Sequence, residues 1–357
     1  MSIDNLLKEL QKDLGDRAFL ASEAPSVRVI STGITSLDVA TGIGGFPRGT
    51  LVEVFGRESS GKTALAVYAM AEVHRNKGYT GLVNLESNIT EEGWKQWAVS
   101  IAPPWFDPAR VLVTNPDPGT ESLITFSKMI ASGSMDLVVY DSIGAMSTDK
   151  ELQIGESKQA FGQSAMVTQL IKQAAHFAYE AQCVPIFLNQ IRDDSAGRFV
   201  IEKAPGGHAK DHFATLRIHL KTTTQNWKKI KIDDEDEFPG FRVTARIVKN
   251  KVGSPRRRAG WNYWNYLSPD GVIGIDTFQD TIDVALRQDV FKSSGSWYYH
   301  EAFPDGKLQG GQKVIDFLRN DPDLTKKVRQ QLVLNAYNDG NIMAEEESRE
   351  VLTDGVI

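Results

Sequence analysis

Gly56-Arg57-Glu58-Ser59-Ser60-Gly61-Lys62-Thr63 has the pattern G-x-x-x-x-G-K-T. Glycines at both ends let the backbone turn tightly enough for successive N–H groups to face one polyphosphate. Lys62 adds a cation beside the β- and γ-phosphates, and Thr63 offers a hydroxyl to Mg²⁺. The flanks have the right character. Leu51-Val52-Glu53-Val54-Phe55 reads as a buried strand, and Ala64-Leu65-Ala66-Val67-Tyr68-Ala69-Met70-Ala71 as a helix. A helix N-terminus then meets the phosphates with unpaired N–H groups. A bare glycine-rich turn would not account for those apolar flanks, so Gly56 to Thr63 predicts a nucleotide site.

In an open α/β sheet, ligands bind beyond the carboxyl ends of the strands. The polar residue after each buried run is therefore the one to weigh. Asp141 follows Leu137-Val138-Val139-Tyr140. It reads as a carboxylate holding Mg²⁺ through water, in preference to a helix cap at Asp141-Ser142. Glu86 follows Gly81-Leu82-Val83-Asn84-Leu85. It is either a base that orients water in line with the γ-phosphate or a surface glutamate. Gln190 follows Ile186-Phe187-Leu188-Asn189. Its amide either senses the γ-phosphate or satisfies buried backbone groups. From Arg192 to Gly206-Gly207 the chain is small and polar, with Arg198 and one aromatic, Phe199. Such a loop suits contact with a single nucleic-acid strand, and equally a plain surface excursion.

Something must hold these groups in place. The 357 residues, 41% hydrophobic and 24% charged, suit a large core with one smaller domain. A net charge of −6 argues against indiscriminate nucleic-acid binding and leaves room for a local basic surface. The one cysteine, Cys183, opens the apolar run to Leu188 and cannot form an intrachain disulfide, which fits a reducing cytosol. No run of 18 apolar residues and no leader is present, so a cytosolic protein without membrane contact is expected. Ile3, Leu6, Leu7, Leu10 and Leu14 predict an amphipathic helix within 1–28, packed on its own core or on a neighbouring subunit. Over 29–269, strand-like runs alternate with helical stretches such as 121–132 and 162–181. This predicts an α/β fold with a mostly parallel sheet and helices on both faces. Strands are expected at 214–221 and 241–252, joined by an exposed charged hairpin at 228–237. Residues 270–343 read as a small α+β domain, and 344–357 as an acidic tail beginning at Glu345-Glu346-Glu347.

Taken in order, these pieces resemble the RecA family of recombinases, phage-encoded relatives included. The match runs from about 30 to 335. It includes Ile30-Ser31-Thr32-Gly33, Ser36-Leu37-Asp38, Gly44-Gly45-Phe46-Pro47-Arg48-Gly49, the phosphate loop, Asp141-Ser142, Leu188-Asn189-Gln190-Ile191-Arg192, Gly206-Gly207, Val248-Lys249-Asn250-Lys251 and Ser294-Gly295-Ser296-Trp297-Tyr298. The resemblance implies a DNA-dependent ATPase, with ATP and Mg²⁺, that forms helical homo-oligomeric filaments on single-stranded DNA and pairs them with a homologous duplex. It implies that Glu86 is the catalytic carboxylate and Gln190 the γ-phosphate sensor. It makes 151–161, with Ile154, Gly155 and Ser157, the first DNA-binding loop, and puts Phe199 in the second. It implies that Lys249 and Lys251 reach a neighbour's ATP, adding charge as an arginine finger does; by residue type alone they are a solvated pair on a strand edge. Arg246 and the Lys228–Lys231 cluster line a groove for double-stranded DNA by the same resemblance, or a solvated hairpin. Loader proteins are possible partners.

The sequence departs from the family in places. Where relatives carry an adenine-stacking tyrosine, Glu91-Glu92-Gly93-Trp94-Lys95-Gln96-Trp97 supplies tryptophans, and Trp94 is the candidate to stack or to join the core. Asp211-His212 stands where Lys-Phe is frequent at the subunit interface. The second loop is about one residue short. His208 and His212 stand four apart without a third ligand, so no metal site is expected there. Two other classes share this core: a closed hexameric helicase and an ATP-gated recombination regulator. Ring against filament separates the first, and ATP turnover the second.

Overall fold

The computed structural model describes residues 2–15, 18–23, 26–85, 90–146, 160–194, 201–203, 212–224, 227–232, 235–268 and 271–353. Helix α1 (Ile3–Leu14) forms where its 3–4 spacing predicts, with the Ser2 hydroxyl accepting from the Asn5 N–H. It buries none of its residues. Ile3 is 62% exposed, so the apolar stripe does not pack on the chain's own core.

β1 (Val29–Ile30), α2 (Thr35–Thr41) and β2 (Phe46–Pro47) lead into β3 (Val52–Gly56) and α3 (Lys62–Arg75). Then follow β4 (Thr80–Asn84), α4 (Glu91–Ile101), β5 (Val111–Thr114), α5 (Thr120–Ala131), β6 (Leu137–Asp141), α6 (Ala160–Ala181) and β7 (Val184–Gln190). Beyond them lie β8 (Arg192–Asp194), β9 (Ile201–Lys203), β10 (Leu216–Thr223), the hairpin β11 (Ile230–Ile232) and β12 (Glu235–Glu237), β13 (Gly240–Asn250), β14 (Arg258–Trp264) and β15 (Gly274–Ile275).

Among the described residues the main sheet has nine strands in the order β15-β14-β13-β10-β3-β7-β6-β4-β5. Pairing is parallel from β10 to β5 and antiparallel from β10 to β15. The central strands are apolar on both faces because both are covered. On one face Val54, Leu82, Val139, Ile186 and Leu216 pack with Leu65, Ala69 and Met70 of α3. On the other, Val83, Val138, Tyr140 and Phe187 pack with Phe126 of α5 and Leu170 and Ala174 of α6.

A separate apolar cluster holds the C-terminal part, where α7 (Thr277–Arg287), β16 (Lys292–Ser294), β17 (Trp297–Tyr299), β18 (Lys307–Gln309), α8 (Gly311–Asn320) and α9 (Pro322–Thr353) meet around Phe291, Phe303, Leu318 and Leu332. The sequence reading ended this unit at 343. The α9 backbone runs to Thr353, past that position.

Register fixes where the strands end. Gly56 lies opposite Gln190, Leu188 opposite Asp141, and Asp141 opposite Asn84. The phosphate loop, the end of β6 and the end of β7 therefore share one edge of the sheet.

Candidate nucleotide site and nucleic-acid face

The phosphate loop closes over the carboxyl end of β3. A Cβ on Gly56 would lie 2.6 Å from both the Leu220 carbonyl oxygen and Ser60 Oγ, so only glycine fits. Gly61 opens α3 at φ +87°, a conformation L side chains avoid. The Lys62 ammonium is folded back into the loop, where Nζ donates to the carbonyl oxygens of Gly56 at 3.2 Å and Arg57 at 2.8 Å. Thr63 Oγ1 donates to Asp141 Oδ2 at 3.1 Å. A hydroxyl and a carboxylate from segments 78 residues apart thus meet at one point, as a shared Mg²⁺ requires. Ser60 Oγ is buried without a hydrogen-bond partner inside the loop. A buried hydroxyl without a partner is costly, and a phosphate oxygen would relieve it. These residues fit a Mg²⁺–nucleotide complex.

A cleft continues from Ser59–Ala64 to Trp97, Phe241, Tyr263 and Asn265. Phe241 and Tyr263 are cross-strand partners whose rings stack at 5.0 Å. Trp94 was the candidate either to stack on a base or to join the core. Trp94 is only 6% exposed and lies in the main apolar cluster, so it has no open face to offer. Trp97, three residues on, lines the cleft. Phe241, Tyr263 and Asn265 were missed because their place beside the loop depends on how β13 and β14 pair.

Gln190 ends β7 beside Gly56. Next to it, the fully buried Asn189 donates through Nδ2 to Glu53 Oε1 at 3.0 Å, and Arg217 Nε donates to the other oxygen of Glu53. One buried carboxylate thereby ties β7 to β10 through β3. Lys249 is the cross-strand partner of Arg217, and both Lys249 and Lys251 donate to the His212 carbonyl oxygen.

Arg246 is exposed on β13 between His219 of β10 and Arg258 of β14. Like charges set directly opposite are unfavourable unless an anion joins them. The expected hairpin at 228–237 forms, and Lys231 pairs across it with Asp236 at 3.1 Å. The backbone of Arg192 lies on β8, paired with β9. Glu86, Ile154, Gly155, Ser157, Arg198, Phe199, Gly206, Gly207 and His208 lie outside the described residues. Among the described residues no group of His, Cys, Asp and Glu is set to hold a metal by itself, and no helix is long and apolar enough to cross a membrane.

A model of the RecA N-terminal domain matches residues 1–265. The chain belongs to the RecA family. Protein RecA of Lactiplantibacillus pentosus is 30% identical over 345 residues, covering 94% of this chain and 84% of that protein. Protein RecA of Corynebacterium efficiens is 31% identical over 339 residues, with 93% and 82% covered. Protein RecA of Halalkalibacterium halodurans is 28% identical over 362 residues, with 99% and 97% covered. The mostly parallel sheet and small C-terminal part are the RecA fold. As a RecA-family member the chain is a recombinase of DNA recombination and repair, and filament formation and strand exchange go with the family.

Proposed function

We propose that this recombinase is a DNA-dependent ATPase whose site is completed between neighbouring copies of the chain. The observation that carries the reading is the meeting of Thr63 and Asp141 beside the buried Lys62. Bound Mg²⁺ would be held by Thr63 directly and by Asp141 through water, and would neutralise charge on the phosphates. On ATP binding, Lys62 exchanges its two carbonyl acceptors for phosphate oxygens, and Ser60 gains a partner. Trp97 offers the nucleobase an apolar wall, with the Asn265 amide near the same cleft. Glu86 orients the attacking water, and Gln190 reads the γ-phosphate at the root of the second loop. Lys249 and Lys251 of an adjoining protomer bring positive charge to the γ-phosphate, where it counts most.

In this reading single-stranded DNA contacts the loops carrying Ile154, Gly155, Ser157, Arg192, Arg198, Phe199, Gly206 and Gly207. The duplex meets Arg246 on the uncovered sheet face. Losing the γ-phosphate removes a contact that orders these loops, so DNA affinity falls after hydrolysis. Residues 1–28 serve protomer packing, 29–269 the ATPase core, and 270–343 a smaller domain. The test is Lys62→Ala assayed for ATP turnover, with and without single-stranded DNA, and by electron microscopy. Both turnover and ATP-dependent filaments should vanish; filaments that persist would discard this site.

A further inference from the structure

β13 gains one residue against its neighbour just before its two lysines. Along β10 and β13 the partners run His219 with Arg246 and Ile218 with Ile247, then step to Arg217 with Lys249. Val248 is the extra residue, and it is 41% exposed. Such a bulge moves every later side chain to the other face of the sheet. Without it Val248 would oppose Arg217, and Lys249 would oppose Leu216, which is buried in the main apolar cluster with Ile218 and Ile247. The bulge instead sets Lys249 opposite Arg217.

Like charges set directly opposite on neighbouring strands repel. Glu53 offsets the charge of Arg217. It lies opposite Arg217 on the other side, on β3, and accepts from Arg217 Nε. The side chain of Glu53 is 1% exposed and that of Arg217 13%, so water and salt screen this pair little. Arg217 Cζ also lies 5.1 Å from the centre of the Phe55 ring, which stacks on His219 at 4.9 Å. A carboxylate and a ring together fix the plane of the guanidinium. The other oxygen of Glu53 accepts from Asn189 Nδ2 at 3.0 Å, which anchors the carboxylate to β7. Asn189, Glu53, Arg217 and Lys249 thus follow one another across β7, β3, β10 and β13.

We propose that Glu53 is a positioning residue for ATP hydrolysis: by holding Arg217 it lets Lys249 keep the place from which it reaches a neighbouring copy's triphosphate. This rests on the reading of a nucleotide site completed between copies. Glu53 is buried within the sheet and acts through Arg217. Its neutral isostere, glutamine, still accepts from Asn189 but turns an N–H group towards Arg217 Nε, so only the arm to β10 opens. The released guanidinium then competes with Lys249 for the same space and the same anion. Because Lys249 serves the neighbour, the defect falls on the adjoining site and not on the phosphate loop of the same chain.

The test is Glu53→Gln. Without DNA, its phosphate loop should bind a fluorescent ATP analogue as the parent does. DNA-stimulated turnover should fall about 10²-fold, the scale of a small misplacement near the reacting group. Full turnover overturns the proposal. Mixing then locates the defect. Glu53→Gln is combined with Glu86→Gln, whose lysines are intact. In a joint filament the phosphate loop of the first meets the lysines of the second, and turnover should exceed the sum of the two alone. A loosened core is not repaired by a neighbour. Lys249→Ala/Lys251→Ala mixed with Glu86→Gln is the control. Recovery in the control but not with Glu53→Gln overturns the proposal and leaves the shared site standing. No recovery in either removes the shared site, and the proposal with it. Adding Glu53→Gln to Lys249→Ala/Lys251→Ala should lower turnover no further, because residues that act as a unit are not additive. A further loss overturns the proposal as well. If Glu53→Gln does not fold, Arg217→Lys takes its place, since lysine has no Nε to give Glu53. It should show the same loss and the same recovery, and full turnover or no recovery counts against the proposal in the same way.

Discussion

Lys249 and Lys251 aim their ammonium groups at one acceptor, the His212 carbonyl oxygen, each at 3.1 Å. Lys249 near the end of β13 and Lys251 just beyond it thus share that carbonyl. In the proposed function both ammonium groups turn to a neighbouring copy's triphosphate. Replacing both lysines with alanine should leave fluorescent-nucleotide binding to the phosphate loop nearly intact. DNA-stimulated turnover should fall by about 10³-fold or more, the scale of a missing arginine finger. Unchanged turnover at saturating DNA would remove the lysines from the mechanism.

Thr63 and Asp141 make a prediction about the metal. Asp141→Asn keeps the shape and removes the charge. In Mg²⁺ the nucleotide Kd should rise about tenfold or more, the value of a charge-assisted contact. With Mg²⁺ chelated, the variant and the parent should bind equally. A loss that persists without metal would show that Asp141 supports the loop instead.

Trp94 and Trp97 should separate stability from binding. Trp94→Ala empties a core position and should lower stability by about 3–5 kcal/mol in urea melts. Trp97→Ala should leave the midpoint nearly unchanged and weaken nucleotide binding about three- to tenfold, the range of one aromatic contact. The reverse pattern would return Trp94 to the site.

Part of this was legible in the chain itself. Asp141 could be placed at the sheet's carboxyl edge because it ends the buried run Leu137–Tyr140. Trp94 was also readable. Trp94, Ala98 and Ile101 are the buried residues of α4 and follow helical spacing, which marks Trp94 as facing the core. Glu53 was hidden within a strand that otherwise reads as apolar. Its partners Asn189 and Arg217 lie 136 and 164 residues away, a distance that local pattern does not span. Arg75 on α3, Arg319 on α8 and Arg329 on α9 line one small cavity, and only tertiary packing brings them together.

His74 sets an acid limit on the core. It is buried in the last turn of α3, where Nδ1 accepts from the Asp107 N–H at 3.1 Å. An N–H can only donate, so the ring proton sits on Nε2, 3.0 Å from Thr80 Oγ1. Burial holds the imidazole neutral, with its pKa lowered to about 4; the charge of Asp107 opposes this and Arg110 assists it. The unfolded chain takes up the proton near 6.5, before the native state does. Stability from this group is therefore full above about 6.5 and is lost as the pH falls towards 4. His74→Gln removes the titration. The gap in urea midpoint between the parent and His74→Gln should narrow, or reverse against the parent, as the pH drops from 7 to 4.5. A gap that stays constant across that window would mean the imidazole titrates as it does in water.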